Sequence, residues 1–241
     1  MPKTPVLIVV LAGLLLTACS NTYKAPIADR SNNTATVHRV IRGETLYSIA
    51  WTYGLDYHQL AKWNGIGRGY AIYPGQKIRL RPPTRKYTKA TKNKTTSKPT
   101  SRTSTQMKSS SRPKPPAAIA TWQWPTQGKV IRGFSRNESG KKGIDIAGRT
   151  GQKVVASAAG KVVYSGSGLL RYGKLIIIKH NDTYLSAYAH NRRLLVSEGQ
   201  TVKQGQPIAE MGRSGTDRTM LHFEIRKNGK PINPLYFLSK R

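Results

Sequence analysis

Apolar positions recur at different intervals along the chain. Between Val37 and Leu80 the interval changes from extended to helical and back. Val37-His38-Arg39-Val40 reads as a strand, and Leu46, Ile49, Ala50 and Tyr53 then fall on one helical face. Gly54 stops that helix. Asp56 is placed to N-cap a second helix, with Gln59 three residues on as its capping-box partner. Leu60 and Trp63 point inward from it, Asn64-Gly65 ends it, and Pro74-Gly75 turns the chain into a last strand, Lys77 to Leu80. The predicted order is βααβ, a small α+β module over residues 37–81.

From Trp122 to Leu238 the pattern is one of short β-like runs. Val154-Val155-Ala156, Lys161-Val162-Val163-Tyr164, Leu175-Ile176-Ile177-Ile178 and Tyr184-Leu185-Ser186-Ala187-Tyr188 are punctuated by Gly160, Gly173 and Asn181-Asp182. Leu221 to Arg226 is another run, closed by Asn228-Gly229, a strong tight-turn signal. An all-β domain is expected over 119–241. Between the modules, residues 82–118 are rich in Lys, Arg, Thr, Ser and Pro and contain no acidic residue. Such a segment buries too little apolar surface to offset chain entropy, and its like charges extend it, so a disordered basic linker is expected. It either grips an anionic polymer or supplies reach; the two uses are compatible. The chain is thus multidomain.

Charge adds a partner class. Lys and Arg number 41 and Asp and Glu 10, for a formal charge of +31 over 241 residues. Nucleic acid, an anionic membrane and an anionic wall polymer all fit that excess. The amino terminus narrows the choice. Residues 1–18 read as a signal peptide, with Lys3 as its positive charge and Val6 to Leu16 as an apolar run too short to cross a bilayer. An exported chain argues against a nucleic-acid partner. The one cysteine, Cys19, follows Leu16-Thr17-Ala18. This stretch resembles a bacterial lipobox, which implies acylation, palmitate included, at Cys19; the plainer alternative is an ordinary signal with a chance cysteine. Ser20 stands where an Asp would resemble an inner-membrane retention signal, so an outer-membrane lipoprotein facing the periplasm is expected. Residues 19–36 are then a tether.

Gly43-Glu44-Thr45-Leu46, Ile49-Ala50, Leu60, Asn64-Gly65 and Pro74-Gly75-Gln76-Lys77-Ile78 resemble the LysM domain. That resemblance implies binding of N-acetylglucosamine polymers, hence peptidoglycan, in a groove lined by Gly43, Glu44, Thr45, Leu46, Asn64, Ile72 and Pro74. Singly, Gly43, Asn64 and Gly75 are also explained by turns, and Leu46 by core packing.

The later segment carries Gly143-Ile144-Asp145-Ile146, Tyr188-Ala189-His190, Val202-Lys203-Gln204-Gly205-Gln206, Leu221-His222-Phe223-Glu224 and Asn233-Pro234 in order. The series resembles the LytM (lysostaphin-type) zinc metallopeptidase domain. The whole arrangement of lipobox, LysM, basic linker and LytM-like domain resembles the NlpD-like lipoproteins. Active LytM enzymes hold zinc through His-x-x-x-Asp and the second His of His-x-His, and use the first His of that pair and a separate His in catalysis. Matched to this chain, Asp145, His190 and His222 are kept, while Lys141 and Met220 stand where histidines are expected. Catalytic zinc normally takes three protein ligands and a water. A charged lysine repels the metal, and a methionine cannot accept a proton. A Lys141–Asp145 ion pair is one way to fill the vacated site. No catalytic residue, metal or cofactor is therefore assigned.

The function expected is a non-enzymatic one. Degenerate members of the resembled family activate N-acetylmuramoyl-L-alanine amidases in cell-wall splitting at division, which implies an amidase-contacting groove at Lys141, Asp145, His190, Met220 and His222. The alternatives are a zinc-dependent peptidoglycan endopeptidase with an atypical site, and a structural tether from membrane to wall.

Overall fold

The computed structural model describes residues 35–83, 122–136 and 142–239. The signal segment, Cys19, nearly all of the basic segment and Lys141 lie outside the described residues.

In the N-terminal module, β1 (Val37–Arg39) pairs antiparallel with β2 (Lys77–Arg79), and α1 (Leu46–Tyr53) and α2 (Tyr57–Trp63) pack between them in sequence. Leu46, Ile49, Ala50, Leu60 and Ile78 form the interior, as the helical spacing predicts. Gly54 ends α1 in the left-handed region at φ 63°, where a Cβ is disfavoured. The reciprocal capping pair falls one helix earlier than expected. Ser48 N donates to Thr45 Oγ1 at 3.1 Å, and Thr45 N donates to Ser48 Oγ at 3.0 Å. Asp56 caps α2 by accepting from Gln59 N at 3.0 Å, while the Gln59 side chain is exposed.

The second module is an antiparallel sheet. Its strands are β3 (Val130–Arg132), β4 (Ile144–Ala147), β5 (Lys153–Val155), β6 (Gly160–Gly166), β7 (Lys174–Lys179), β8 (Tyr184–Leu194), β9 (Thr201–Val202), β10 (Pro207–Met211), β11 (Met220–Lys227) and β12 (Lys230–Ile232). The order is β3-β4-β11-β8-β7-β6-β9; β10 pairs with β5 and β8, and β12 with β11. Asn228 (φ 48°) and Gly229 (φ 75°) supply the positive φ pair that a two-residue hairpin turn requires. A 3₁₀ turn, Pro234–Tyr236, follows.

Strand alternation sends side chains to two different interiors. On one face Ile144, Ile146, Ile176, Ile178, Tyr188, Leu221, Phe223 and Ile225 pack with Val154, Ile208 and Met211 from the outer strands. On the other face Val163, Leu175, Ile177, Leu185, Ala187 and Ala189 join the interior of the N-terminal module in one buried cluster. The two modules therefore share a core. Leu175-Ile176-Ile177-Ile178 is apolar at every position because this strand is covered on both sides. Fully burying one such side chain contributes roughly 1.5–3 kcal/mol.

Ile177 is fully buried, so Ile177→Ala is expected to destabilise the full chain by about 2–5 kcal/mol in urea unfolding. A loss below about 1 kcal/mol would mean that the helical module does not pack on this face.

Candidate functional site

Asp145 on β4 stands directly opposite His222 on β11. Their approach depends on Gly143, where a Cβ would run into the Phe223 carbonyl. Met220, His222, Glu224 and Arg226 alternate with the core residues of β11 and so line a single face. They build a ladder of alternating charge. His222 Nδ1 is 2.6 Å from Asp145 Oδ1, and His222 Nε2 is 3.1 Å from Glu224 Oε1. Arg226 donates from Nε and Nη2 to Glu224 Oε2 at 3.0 and 2.9 Å, and Tyr172 OH donates to Glu224 Oε1 at 2.7 Å. At the other end the Arg132 guanidinium reaches Asp145 Oδ2 at 2.5 Å. An irregular register between β3 and β4, at Val130 to Arg132, brings Arg132 opposite Asp145.

Asp145 (2%), His190 (5%), Met220 (4%), His222 (6%) and Glu224 (0%) are all buried. Burial pushes the His222 imidazole down, but the bonds to Asp145 and Glu224 and their charges outweigh it and raise its pKa to about 9. Burial pushes Glu224 up, and the Arg226 charge together with the His222 and Tyr172 contacts outweighs it and brings the carboxyl to about 2. Asp145 is likewise held low against burial by His222 and Arg132. His222 is then an imidazolium with both ring N–H groups donating. His190 sits beside it, ring centroids 6.0 Å apart, in a left-handed conformation at φ 67°. Burial lowers the His190 pKa against the bond that Nδ1 makes with the Ser214 carbonyl at 2.8 Å. Among the described residues no group of three or more His, Cys, Asp or Glu is arranged to hold a metal ion.

In the N-terminal module, the pairing of β1 with β2 brings the loop at 41–46 and the turn at 72–75 to one end, with Gly75 N donating to Val40 O at 2.8 Å. Gly43, at φ 83°, and Pro74 are exposed there, and Ile72 is half-buried. Glu44 is turned inward, 2.7 Å from His38 Nε2 and accepting from Ile41 N at 2.9 Å. Leu46 is fully buried. Asn64 lies at the other end of β2, where Arg79 N donates to its Oδ1 at 2.7 Å and its Nδ2 donates to Arg79 O at 2.9 Å. Its place is that of a strap between α2 and β2.

Two family models match the chain, LysM domain over residues 38–81 and Peptidase family M23 over residues 139–234. The Lipoprotein NlpD/LppB homolog of Pseudomonas aeruginosa is 45% identical over 276 residues, covering 94% of this chain and 89% of that protein. The Uncharacterized lipoprotein YgeR of Escherichia coli is 44% identical, with 94% and 89% covered. The Murein hydrolase activator NlpD of Escherichia coli is 39% identical, with 88% and 70% covered. The chain belongs to the NlpD lipoprotein family. It is a cell-envelope lipoprotein with a LysM module and an M23-like β domain.

In this NlpD-family chain the residues expected from sequence come together in part. Asp145, His190, Met220 and His222 share one end of a sheet face. Arg132, which sequence reading did not single out, makes an ion pair with Asp145, and Lys141 lies outside the described residues. Sequence reading also missed Glu224, Arg226 and Tyr172. The alternation of His222, Glu224 and Arg226 along one strand was the available signal, because charged residues on a strand apolar at every other position need partners.

The ladder makes stability depend on pH. His222 is raised from 6.5 to about 9, so its contribution is complete below pH 6.5 and is lost as pH rises through about 9. Glu224 is lowered from 4.5 to about 2, so its contribution is complete above pH 4.5 and is lost as pH falls through about 2. Thermal unfolding against pH is expected to show a decline on the alkaline limb that flattens in His222→Gln. An unchanged limb in that variant would remove His222 as its cause.

Proposed function

We propose that this chain is a non-enzymatic outer-membrane lipoprotein, facing the periplasm, that binds peptidoglycan through its LysM module and activates N-acetylmuramoyl-L-alanine amidases through its M23-like domain. The observation that carries the reading is the charge ladder. A zinc ion of the M23 kind would need a third donor beside Asp145 and His222, but Met220 stands next to His222 on that face of β11 and Asp145 is bound by Arg132. These residues do not fit zinc, and no catalytic step is assigned to them. The relatives named as murein hydrolase activators support the same reading.

The amidase-facing groove is proposed at Lys141, Asp145, His190, Met220 and His222, with Arg132 as its accessible charge. Gly43, Glu44, Thr45, Leu46, Ile72 and Pro74 are proposed to shape the glycan site, with Asn64 holding α2 to β2 behind it. Cys19 is proposed to carry the lipid; acyl chains contribute roughly 0.8 kcal/mol per buried CH₂, and stable anchoring takes more than one chain.

Release of dye from labelled peptidoglycan by a purified amidase tests the activator role. The chain alone is expected to release none, and to raise release when the amidase is present. Dye release by the chain alone, with one tightly held zinc per molecule, would establish the endopeptidase alternative instead. Cys19→Ser is expected to move the protein from the outer-membrane fraction to the soluble periplasm; retention with the membrane would show another anchor.

A further inference from the structure

The sheet face that carries Asp145 and His222 continues past Glu224 to Arg226, and there the LysM module covers it. Arg226 is 1% exposed. Its Nη1 donates to the Trp51 carbonyl of α1 at 2.6 Å, and its guanidinium lies 3.6 Å from the centroid of the Trp51 ring. Beside it the apolar surface of β6, β7 and β8 is sealed by the same helices. The seam is close: a Cβ on Gly229 would strike the Leu55 carbonyl. Its rim is polar, with His58 Nε2 3.2 Å from the Asp182 carbonyl and Lys179 Nζ 5.4 Å from the centroid of the Tyr57 ring.

Docking also engages the loop assigned to glycan. Thr45 Oγ1 donates to the Val163 carbonyl of β6 at 3.2 Å. Leu46 belongs to the shared core and Ile72 packs against it. The single proton of the Thr45 hydroxyl is committed to Val163 and cannot also be donated to a sugar, and the turn bearing Ile72 is held by the same packing.

We propose that the LysM module has two mutually exclusive partners, the M23-like sheet of its own chain and a strand of N-acetylglucosamine polymer. Binding of the polymer releases the module and bares the Arg226 end of the groove face to the hydrolase. This rests on the glycan-binding reading of the LysM module. Linkage fixes the sign: docking weakens glycan binding by the fraction of molecules held closed, and glycan weakens docking by the same factor.

The test uses the full chain with Cys19→Ser, so that the added thiols are the only ones. His58→Cys and Asp182→Cys are joined by a thiol-cleavable bismaleimide, and affinity for tetra-N-acetylchitotetraose is measured before and after cleavage. The bridged protein is expected to bind about tenfold more weakly and to recover on cleavage. As a second variant, Asp182→Lys replaces an exposed rim contact without touching the core, and is expected to bind the saccharide roughly threefold more tightly than the parent. Equal affinity in the bridged and cleaved forms would overturn the exclusion while leaving glycan binding intact. No binding in any form would overturn both. A bridge found mainly between two molecules would overturn the intramolecular cover in favour of an exchanged one.

Discussion

A buried guanidinium has to be satisfied on every side, and the rest of this structure is arranged around the one at Arg226. Removing a charge from water costs several kcal/mol unless paired and hydrogen-bonded groups replace the solvent. Glu224 supplies the counter-charge through two bonds, and Trp51 of the other module supplies a carbonyl and a ring face. Groups from both modules bury Arg226. The charge therefore joins them with a directionality that apolar contacts lack, since the Trp51 carbonyl has to face the end of β11.

From Arg226 the same constraint runs outward along the strand. Glu224, ionised beneath Arg226, needs donors on its other oxygen, and Tyr172 and His222 provide them. His222 can serve Glu224 and Asp145 together only as the imidazolium. Asp145 then has a free oxygen, which Arg132 takes. Each charge is fixed by the one before it, so the site at Asp145 and His222 is tied to the LysM contact through bonds between neighbours. Deleting one member leaves an uncompensated buried charge, typically a loss of 3–5 kcal/mol.

How much of this the sequence reveals depends on the range of each interaction. The βααβ order, the Gly54 stop and the Asn228-Gly229 turn follow from local chemistry and are legible. The facing of Asp145 and His222 is legible through the family motifs that carry them. Arg132 is not, because it reaches Asp145 only through an irregular strand register that local pattern does not encode. Local pattern puts the capping pair at Asp56 and Gln59 because both types suit it, yet Thr45 and Ser48 form it, and Thr45 also meets the second module. The shared core left one trace, the unbroken apolar run Leu175 to Ile178. A run of that length marks two-sided burial without saying what lies on the second side.

Asp145 shows how one buried charge orders the M23-like frame. A carboxylate buried at 2% exposure needs a positive partner whatever the chemistry of the site. In this structure the Arg132 guanidinium and the His222 ring each meet one Asp145 oxygen. Further along the same face, the Arg226 contact with Trp51 sits where a partner approaching along the groove would meet the LysM module first.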